Sequence, residues 1–251
     1  MNSNSFHKIS EYYDLLYQEK DYAKESKYVI ENLNYYNADA IELLELGFGT
    51  GNYSLHLINA GYTITGIEKN PEMVTLAKSK SIKNFTPFVD DIRSFNLNRT
   101  FHAAFSLFHV ISYLTENENV LSCFRQVAKH LKKNGLFIFD VWYTPAVYSQ
   151  LPQNKIKQVS NDVYDITRTA KPEIFYEQNV VKVNYDVEIK QKTSQHTEVF
   201  NETHFMRHFS SPEIKLLAEL SGFKVVKGEE LLTSKTPDAS TWGVCYILQK
   251  V

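Results

Sequence analysis

From position 41 onward, short apolar runs alternate with amphipathic segments, and this rhythm narrows the possible folds more than any other feature of the chain. The runs 41–46, 62–67, 85–89, 103–108 and 136–141 are each five or six residues long, and most are nearly continuous in apolar side chains. Strands buried on both faces read this way, and their alternation with helical segments predicts βαβ units around a mostly parallel sheet. A last helix and two more runs, 223–226 and 244–248, return the chain to the same pattern.

Local start and stop signals support that division. Residues 22–36 carry Tyr22, Val29, Ile30, Leu33 and Tyr36 at helical spacing. Asn70-Pro71 places a capping side chain before a proline at the first helical position, predicting a helix to about Lys80. Thr115-x-x-Glu118 has the form of a capping box ahead of the stripe Val120, Leu121, Phe124, Val127, Ala128 and Leu131. Lys129, His130, Lys132 and Lys133 crowd the end of that helix, with Gly135 as its expected stop. Ser211-Pro212 opens a further helix that Gly222 ends.

Residues 155–209 break the rhythm. Val181, Val183, Tyr185, Val187 and Ile189 alternate with Lys182, Asn184, Asp186 and Glu188, the signature of an antiparallel strand with one wet face. Segments 163–167 and 199–209 alternate similarly, so about three antiparallel strands are expected here. The expected fold class is α/β, a doubly wound mostly parallel sheet with an inserted antiparallel β-sheet. Residues 1–37 form a leader or lid, 38–154 and 205–251 the α/β domain, and 155–204 an insertion on the substrate side.

Bulk properties exclude several function classes. Lys and Arg number 27 against 29 Asp and Glu, so no general basic field draws nucleic acid. Cys123 and Cys245 are the only cysteines and lie in apolar stretches, which reads as two buried thiols without disulfide or zinc spacing. His204 and His208 are four apart on a predicted strand, about 13 Å, too far to share a metal; no metal site is expected. The first residues lack an apolar targeting core and no run approaches the ~20 residues that span a bilayer, so a cytoplasmic protein without membrane association is expected. The sequence assigns no oligomeric state.

The chemistry concentrates at the end of the first run, in Glu45-Leu46-Gly47-Phe48-Gly49-Thr50-Gly51-Asn52. Glycines at a strand-to-helix turn let the backbone take φ > 0 and approach a ligand closely. A dinucleotide turn would place its third glycine at position 52, where Asn stands; here it falls at Gly51. Glu68 follows 21 positions after Gly47, at the end of the second run, where a carboxylate can accept both ribose hydroxyls.

Taken together, Leu44 to Gly51, Gly66-Ile67-Glu68-Lys69-Asn70-Pro71-Glu72-Met73 and Asp90-Asp91-Ile92 resemble, in order and spacing, the first three motifs of the class I S-adenosylmethionine-dependent methyltransferases. The resemblance implies that Glu45 belongs to the cofactor motif and that Gly47, Gly49 and Gly51 pass beneath the methionine part. It implies further that Glu68 holds the ribose, Met73 and Ile92 pack on adenine, and Asp91 bonds the adenine amine. Phe48 departs from the small residue usual at its place. The leader, Tyr13-Asp14-Leu15-Leu16-Tyr17 followed by Lys20-Asp21-Tyr22-Ala23-x-Glu25, is similar to that of aminosugar N-methyltransferases, in which it folds over the cofactor. Phe105 to Phe108, Tyr113-Leu114, Asp140-Val141-Trp142-Tyr143 with Pro145, and Glu202-x-His204-x-x-Arg207 extend the likeness.

These readings imply an enzyme that binds S-adenosylmethionine and methylates a small molecule, with an amine of a nucleotide-linked aminosugar as the expected acceptor. Aromatic faces attract a sulfonium cation by roughly 0.5–2 kcal/mol each when water is excluded, which gives Tyr17 and Tyr22 a place at the cofactor. Tyr13, Phe108, Trp142 and Arg207 are the expected acceptor residues, and His109 and His204 the candidate bases. Another small metabolite methylated on oxygen or nitrogen is the alternative, and a non-catalytic module binding the same cofactor a second one.

Overall fold

The computed structural model describes residues 9–251; the first eight residues of the expected leader lie outside it. A 3-10 turn, Ile9–Tyr12, leads into α1 (Tyr13–Leu16) and α2 (Tyr22–Tyr36). Then follow β1 (Glu42–Leu46), α3 (Asn52–Asn59), β2 (Thr63–Glu68), α4 (Pro71–Ser79), β3 (Phe85–Val89), β4 (Phe101–Ser106), α5 (Asn117–His130), β5 (Leu131–Tyr143) and α6 (Thr144–Gln150). Strands β6 (Lys155–Ser160), β7 (Tyr164–Phe175), β8 (Val180–Gln191) and β9 (Thr197–Phe209) come next, before α7 (Ser211–Glu219), β10 (Phe223–Glu230) and β11 (Gly243–Lys250).

The strands lie in the order β3-β2-β1-β4-β5, all parallel, with β11 and then β10 added antiparallel beyond β5. Each central strand feeds two cores, which is why its sequence reads as a continuous apolar run. Leu44 and Leu46 of β1 with Phe137, Phe139 and Val141 of β5 face α5 and α7. Leu43 with Leu136 and Ile138 face α2 and α3. The doubly wound class expected from the alternation is therefore what forms.

The insertion has four strands rather than about three. β6 escapes the alternation because it is an edge strand whose Ile156 is 69% exposed. Strands β6 to β9 pair antiparallel in sequence order, and β9 then meets β5 in parallel at Trp142↔His208 and Tyr143↔Phe209. β4 stops at Ser106, opposite Phe139. The tip of β5 beyond that point is left for β9, so the inserted sheet stands directly past the end of β4.

Two local expectations fail. Glu116, not Thr115, is the N-cap of α5 and makes no side-chain cap bond; the Thr115 carbonyl instead accepts from Arg207 Nη1 at 3.1 Å. Gly135 does not stop α5, which passes straight into β5 at Leu131. A side chain at Gly135 would strike the carbonyls of Lys132 and His102 at 2.9 and 3.1 Å, so glycine is needed inside the strand for close packing. The last helix opens at Ser211 as expected, capped by Ser210, which forms a capping box with Glu213. The Asn70 cap is as expected, its side chain accepting from the N–H groups of Glu72 and Met73.

Phe137, fully buried, packs its ring against Phe124, Phe139 and Phe223. Phe137→Ala is expected to cost about 3–5 kcal/mol of folding stability, measured by urea unfolding against the parent chain.

Candidate functional site

Past Leu46 the chain turns sharply from β1 into α3. Gly47, Gly49 and Gly51 take φ of 69°, 56° and 81°, a region that side chains avoid. The Gly47 N–H donates to the Ile67 carbonyl at 2.7 Å, tying the turn to the end of β2. A Cβ on Gly47 would strike Val110 at 2.5 Å, whereas one on Gly49 would meet, among the described residues, only Tyr13, at 4.0 Å. Phe48 fills the space that Gly66 leaves, edge-on to Phe85, so the large residue at this place is absorbed by packing.

Glu68 closes the rim of the turn. Its Oε2 accepts from the Gly49 N–H at 3.1 Å and its Oε1 from the Asn70 N–H at 2.9 Å. Burial pushes its carboxyl up, with the backbone donors of Asn70, Gly49 and Lys69 pulling the other way. Glu45 sits inside the core at 2% exposure. Burial pushes its carboxyl to about 8, opposed by the Ser54 hydroxyl that donates to it and reinforced by Glu68. Met73 is buried under the Asn70 cap, and Ile92 packs half-buried on the core. Asp91 is gripped by the Arg93 fork at 2.8 and 2.6 Å, with Lys69 at 3.5 Å; the Arg93 bonds hold its carboxyl at about 2.

The leader is fastened across this turn. The carboxylate of Asp14 accepts from the Thr50 hydroxyl at 2.6 Å and the Asn52 amide at 3.0 Å, and pairs with Lys80 at 2.8 Å. Burial alone would raise the Asp14 carboxyl, but these donors outweigh it and hold it low. Its contribution to docking is therefore complete at neutral pH and lost only as pH falls through that lowered value. Tyr13 packs at a tilt against Tyr17, 4.7 Å between centroids, and Tyr17 stands edge-on to Phe108 at 5.0 Å. The Tyr17 hydroxyl accepts from Arg168 Nη1 at 2.9 Å. Below them Ile9 and Leu16 share a core with Val159, Ile166, Val187, Ile189 and Phe200 of the insertion. Tyr22 lies edge-on to Tyr53, and burial pushes its hydroxyl to about 12.

At the end of β4, Phe108 and His109 both have left-handed φ, 68° and 61°. Such strain costs of order 1–3 kcal/mol per residue and persists only where surrounding structure enforces it. Asp140 is the enforcer: one oxygen accepts the His109 N–H at 3.1 Å and the other lies 2.6 Å from His109 Nδ1. Burial would raise the Asp140 carboxyl, but the bonds and charge of His109, with Lys20 beyond, hold it lowered. Trp142 lies on the far side of His109, 6.1 Å between centroids.

His204, on β9, faces the leader. Tyr113 Oη lies 2.8 Å from its Nδ1 and Glu202 Oε2 lies 3.2 Å from its Nε2. Tyr13, Tyr17, Tyr113, Arg168, Tyr185 and His204 wall a cavity of about 20 Å³. Arg207 is placed apart from it. Its guanidinium binds the Thr115 carbonyl, the Asn117 side chain and Glu213, at an open groove of about 660 Å³ that Phe175 and Phe205 also line.

Sequence reasoning gave no role to Asp14, Asp140, Arg168, Tyr185 or Glu202. A signal existed for some of them. Arg168 has the inward parity of buried Ile166 on β7, and Tyr185 belongs to the inward set of β8. Glu202 and His204 share one face of β9 by their period of two.

Residues 43–135 match the family model described as a methyltransferase domain. A dTDP-3-amino-3,4,6-trideoxy-glucopyranose N,N-dimethyltransferase of Streptomyces venezuelae is 30% identical over 139 residues, 55% of this chain and 58% of that one. The match thus spans little more than half of that relative. An S-adenosylmethionine-dependent methyltransferase structure from Clostridium acetobutylicum superposes with a TM-score of 0.81 at 21% identity, covering 98% of each chain. A sugar N-methyltransferase structure from Streptoalloteichus superposes at 0.80 with 20% identity, over 94% of this chain and 92% of that one. These findings bear out the methyltransferase domain and the class I fold read from the motifs. Among the described residues no helix is long and apolar enough to cross a membrane.

Asp14→Ala removes a half-exposed ion pair worth up to about 1 kcal/mol together with two hydrogen bonds to the same carboxylate. Amide exchange in residues 9–20 is expected to accelerate at least tenfold while β1 and β5 keep their protection, as read by mass spectrometry.

Proposed function

We propose that this class I S-adenosylmethionine-dependent methyltransferase transfers a methyl group to the amine of a nucleotide-linked aminosugar in the cytoplasm. The observation that carries the proposal is the latched leader. Asp14 fixes it to the glycine turn, Tyr17 joins it to Phe108 and Arg168, and the space enclosed is aromatic and buried.

The donor set fits the cofactor. Three left-handed glycines leave backbone open for the methionine part on the side where Gly49 faces Tyr13. Glu68, at the rim, has the carboxylate geometry for ribose hydroxyls, and Met73 and Ile92 supply apolar surface for adenine beside Asp91. When bound, the cofactor supplies a methyl carbon already activated by a sulfonium. What remains for this chain is alignment, exclusion of water and removal of a proton from the acceptor. The faces of Tyr13, Tyr17 and Tyr22 favour the cation. Phe108 and Trp142, held by the His109–Asp140 pair, shape the acceptor side, and Arg207 acts there through the loop it braces. The cavity of about 20 Å³ has room for roughly one water molecule, so the leader must lift to admit an acceptor and close again for transfer. His109 and His204 are the candidate bases. The aminosugar acceptor is supported by the likeness to sugar N-methyltransferases in sequence and fold.

A panel of nucleotide-linked aminosugars and their hydroxyl counterparts, assayed with methyl-labelled cofactor, tests the acceptor. Labelled amine is expected from the aminosugars and none from the hydroxyl sugars. Turnover of hydroxyl sugars alone, or of no sugar, would assign the acceptor to another class of small molecule.

A further inference from the structure

Two histidines stand near the proposed acceptor position, and their surroundings differ in kind. His109 gives its backbone N–H to one oxygen of Asp140, which is 1% exposed, and its Nδ1 lies 2.6 Å from the other. Both contacts hold one strained turn in place. His204 instead lies between an acid and a hydroxyl. Glu202 Oε2 lies 3.2 Å from Nε2 and Tyr113 Oη 2.8 Å from Nδ1. A carboxylate accepts only from a protonated nitrogen, so the neutral ring carries its hydrogen on Nε2 and presents a lone pair on Nδ1 to the Tyr113 O–H. The second oxygen of Glu202 is buried and has no partner among the described residues. A buried carboxylate left half-satisfied is expensive, and such costs concentrate where a proton is handled.

We propose that Tyr113, His204 and Glu202 form the proton path of the transfer, with Tyr113 as the residue that meets the acceptor. The inference rests on the aminosugar reading, in which the acceptor arrives as an ammonium and must lose one proton before it can attack. The ammonium N–H bond breaks as its proton passes to Tyr113 Oη. The hydroxyl proton of Tyr113 passes in the same event to His204 Nδ1, and the nitrogen keeps its electron pair for the methyl carbon. Tyr113 ends neutral, His204 ends as an imidazolium against Glu202, and the proton leaves to solvent when the leader lifts. Tyr113 is the catalytic residue here; His204 and Glu202 act through it.

The placement supports this order. Tyr113 and His204 both wall the closed cavity, together with Tyr13, which also roofs Gly49. Among the described residues, the charged and titratable groups facing His204 are Tyr113, Tyr185 edge-on at 5.0 Å, Arg168 above Tyr185, Tyr13 and Tyr17 from the leader, and Glu202 on its own strand. Glu202 is the one carboxylate among them, and it faces the ring nitrogen away from Tyr113.

Two measurements test the path. The first uses the intact chain without an acceptor: ¹⁵N-histidine spectra at neutral pH, with His204→Asn for assignment. The Nε2–H tautomer is expected for His204, and Glu202→Gln should abolish that preference. An Nδ1–H tautomer in the parent would overturn the path whatever the acceptor proves to be. The second follows kcat with a dTDP-linked 3-aminosugar. Tyr113→Phe and Glu202→Gln should each lower kcat about 10²-fold or more near neutral pH. Calorimetric affinity for S-adenosylmethionine should be unchanged, and the loss should shrink toward the parent rate at high pH, where the amine deprotonates unaided. A Tyr113→Phe enzyme turning over at the parent rate, or a loss equal at all pH values, would overturn it. A parent that turns over no aminosugar but shows the expected tautomer contradicts the acceptor assignment and the ammonium step with it.

Discussion

A turn of backbone that side chains cannot occupy governs the rest of the molecule. Gly47, Gly49 and Gly51, all at positive φ, swing the chain from the end of β1 into α3 and leave a strip of bare main chain at the edge of the sheet. Glu68 answers one exposed N–H, and the leader covers the remainder. Asp14 reaches Thr50 and Asn52 on the turn itself and Lys80 at the end of α4, so the roof is anchored to the same residues that form the floor. A ligand on that strip is enclosed when the leader docks and released when it lifts.

The inserted sheet completes the enclosure because of where β4 ends. β5 runs on past Ser106 of β4, and β9 takes up the vacated position beside Trp142 and Tyr143. This brings Arg168, Tyr185 and His204 to the cavity that Tyr13, Tyr17 and Tyr113 also wall. The leader then uses the underside of that sheet as its apolar seat, through Ile9 and Leu16. Three segments far apart in sequence thus meet around one cavity, each held by a carboxylate: Asp14 for the leader, Asp140 for the turn, Glu202 for the histidine.

What could be read from sequence follows how far each contact reaches along the chain. The glycine turn, the Asn70-Pro71 cap and the continuous apolar strands are local, and they formed as their residues dictate. The Thr115 capping box did not form: α5 starts after Glu116, and Arg207, 92 positions away, takes the Thr115 carbonyl into a network with Asn117 and Glu213. Gly135 failed as a stop because its missing side chain is needed against the His102 carbonyl in the neighbouring strand. The same limit applies to the site. Glu68, His109 and His204 were visible as residue types at strand ends or on a strand face, whereas Asp14 and Arg168 acquire roles only through partners that folding delivers. Tyr113 and Glu202 stood inside recognised segments, but pairing them through His204 required the register of β9 against the loop after β4.

The account stands on one binding event at the glycine turn, and calorimetric titration of the purified protein tests it most directly. S-adenosylmethionine and its demethylated product are each expected to bind saturably with one site per chain, and NAD is expected to give no heat of binding. Saturable NAD binding with no response to S-adenosylmethionine would contradict the account.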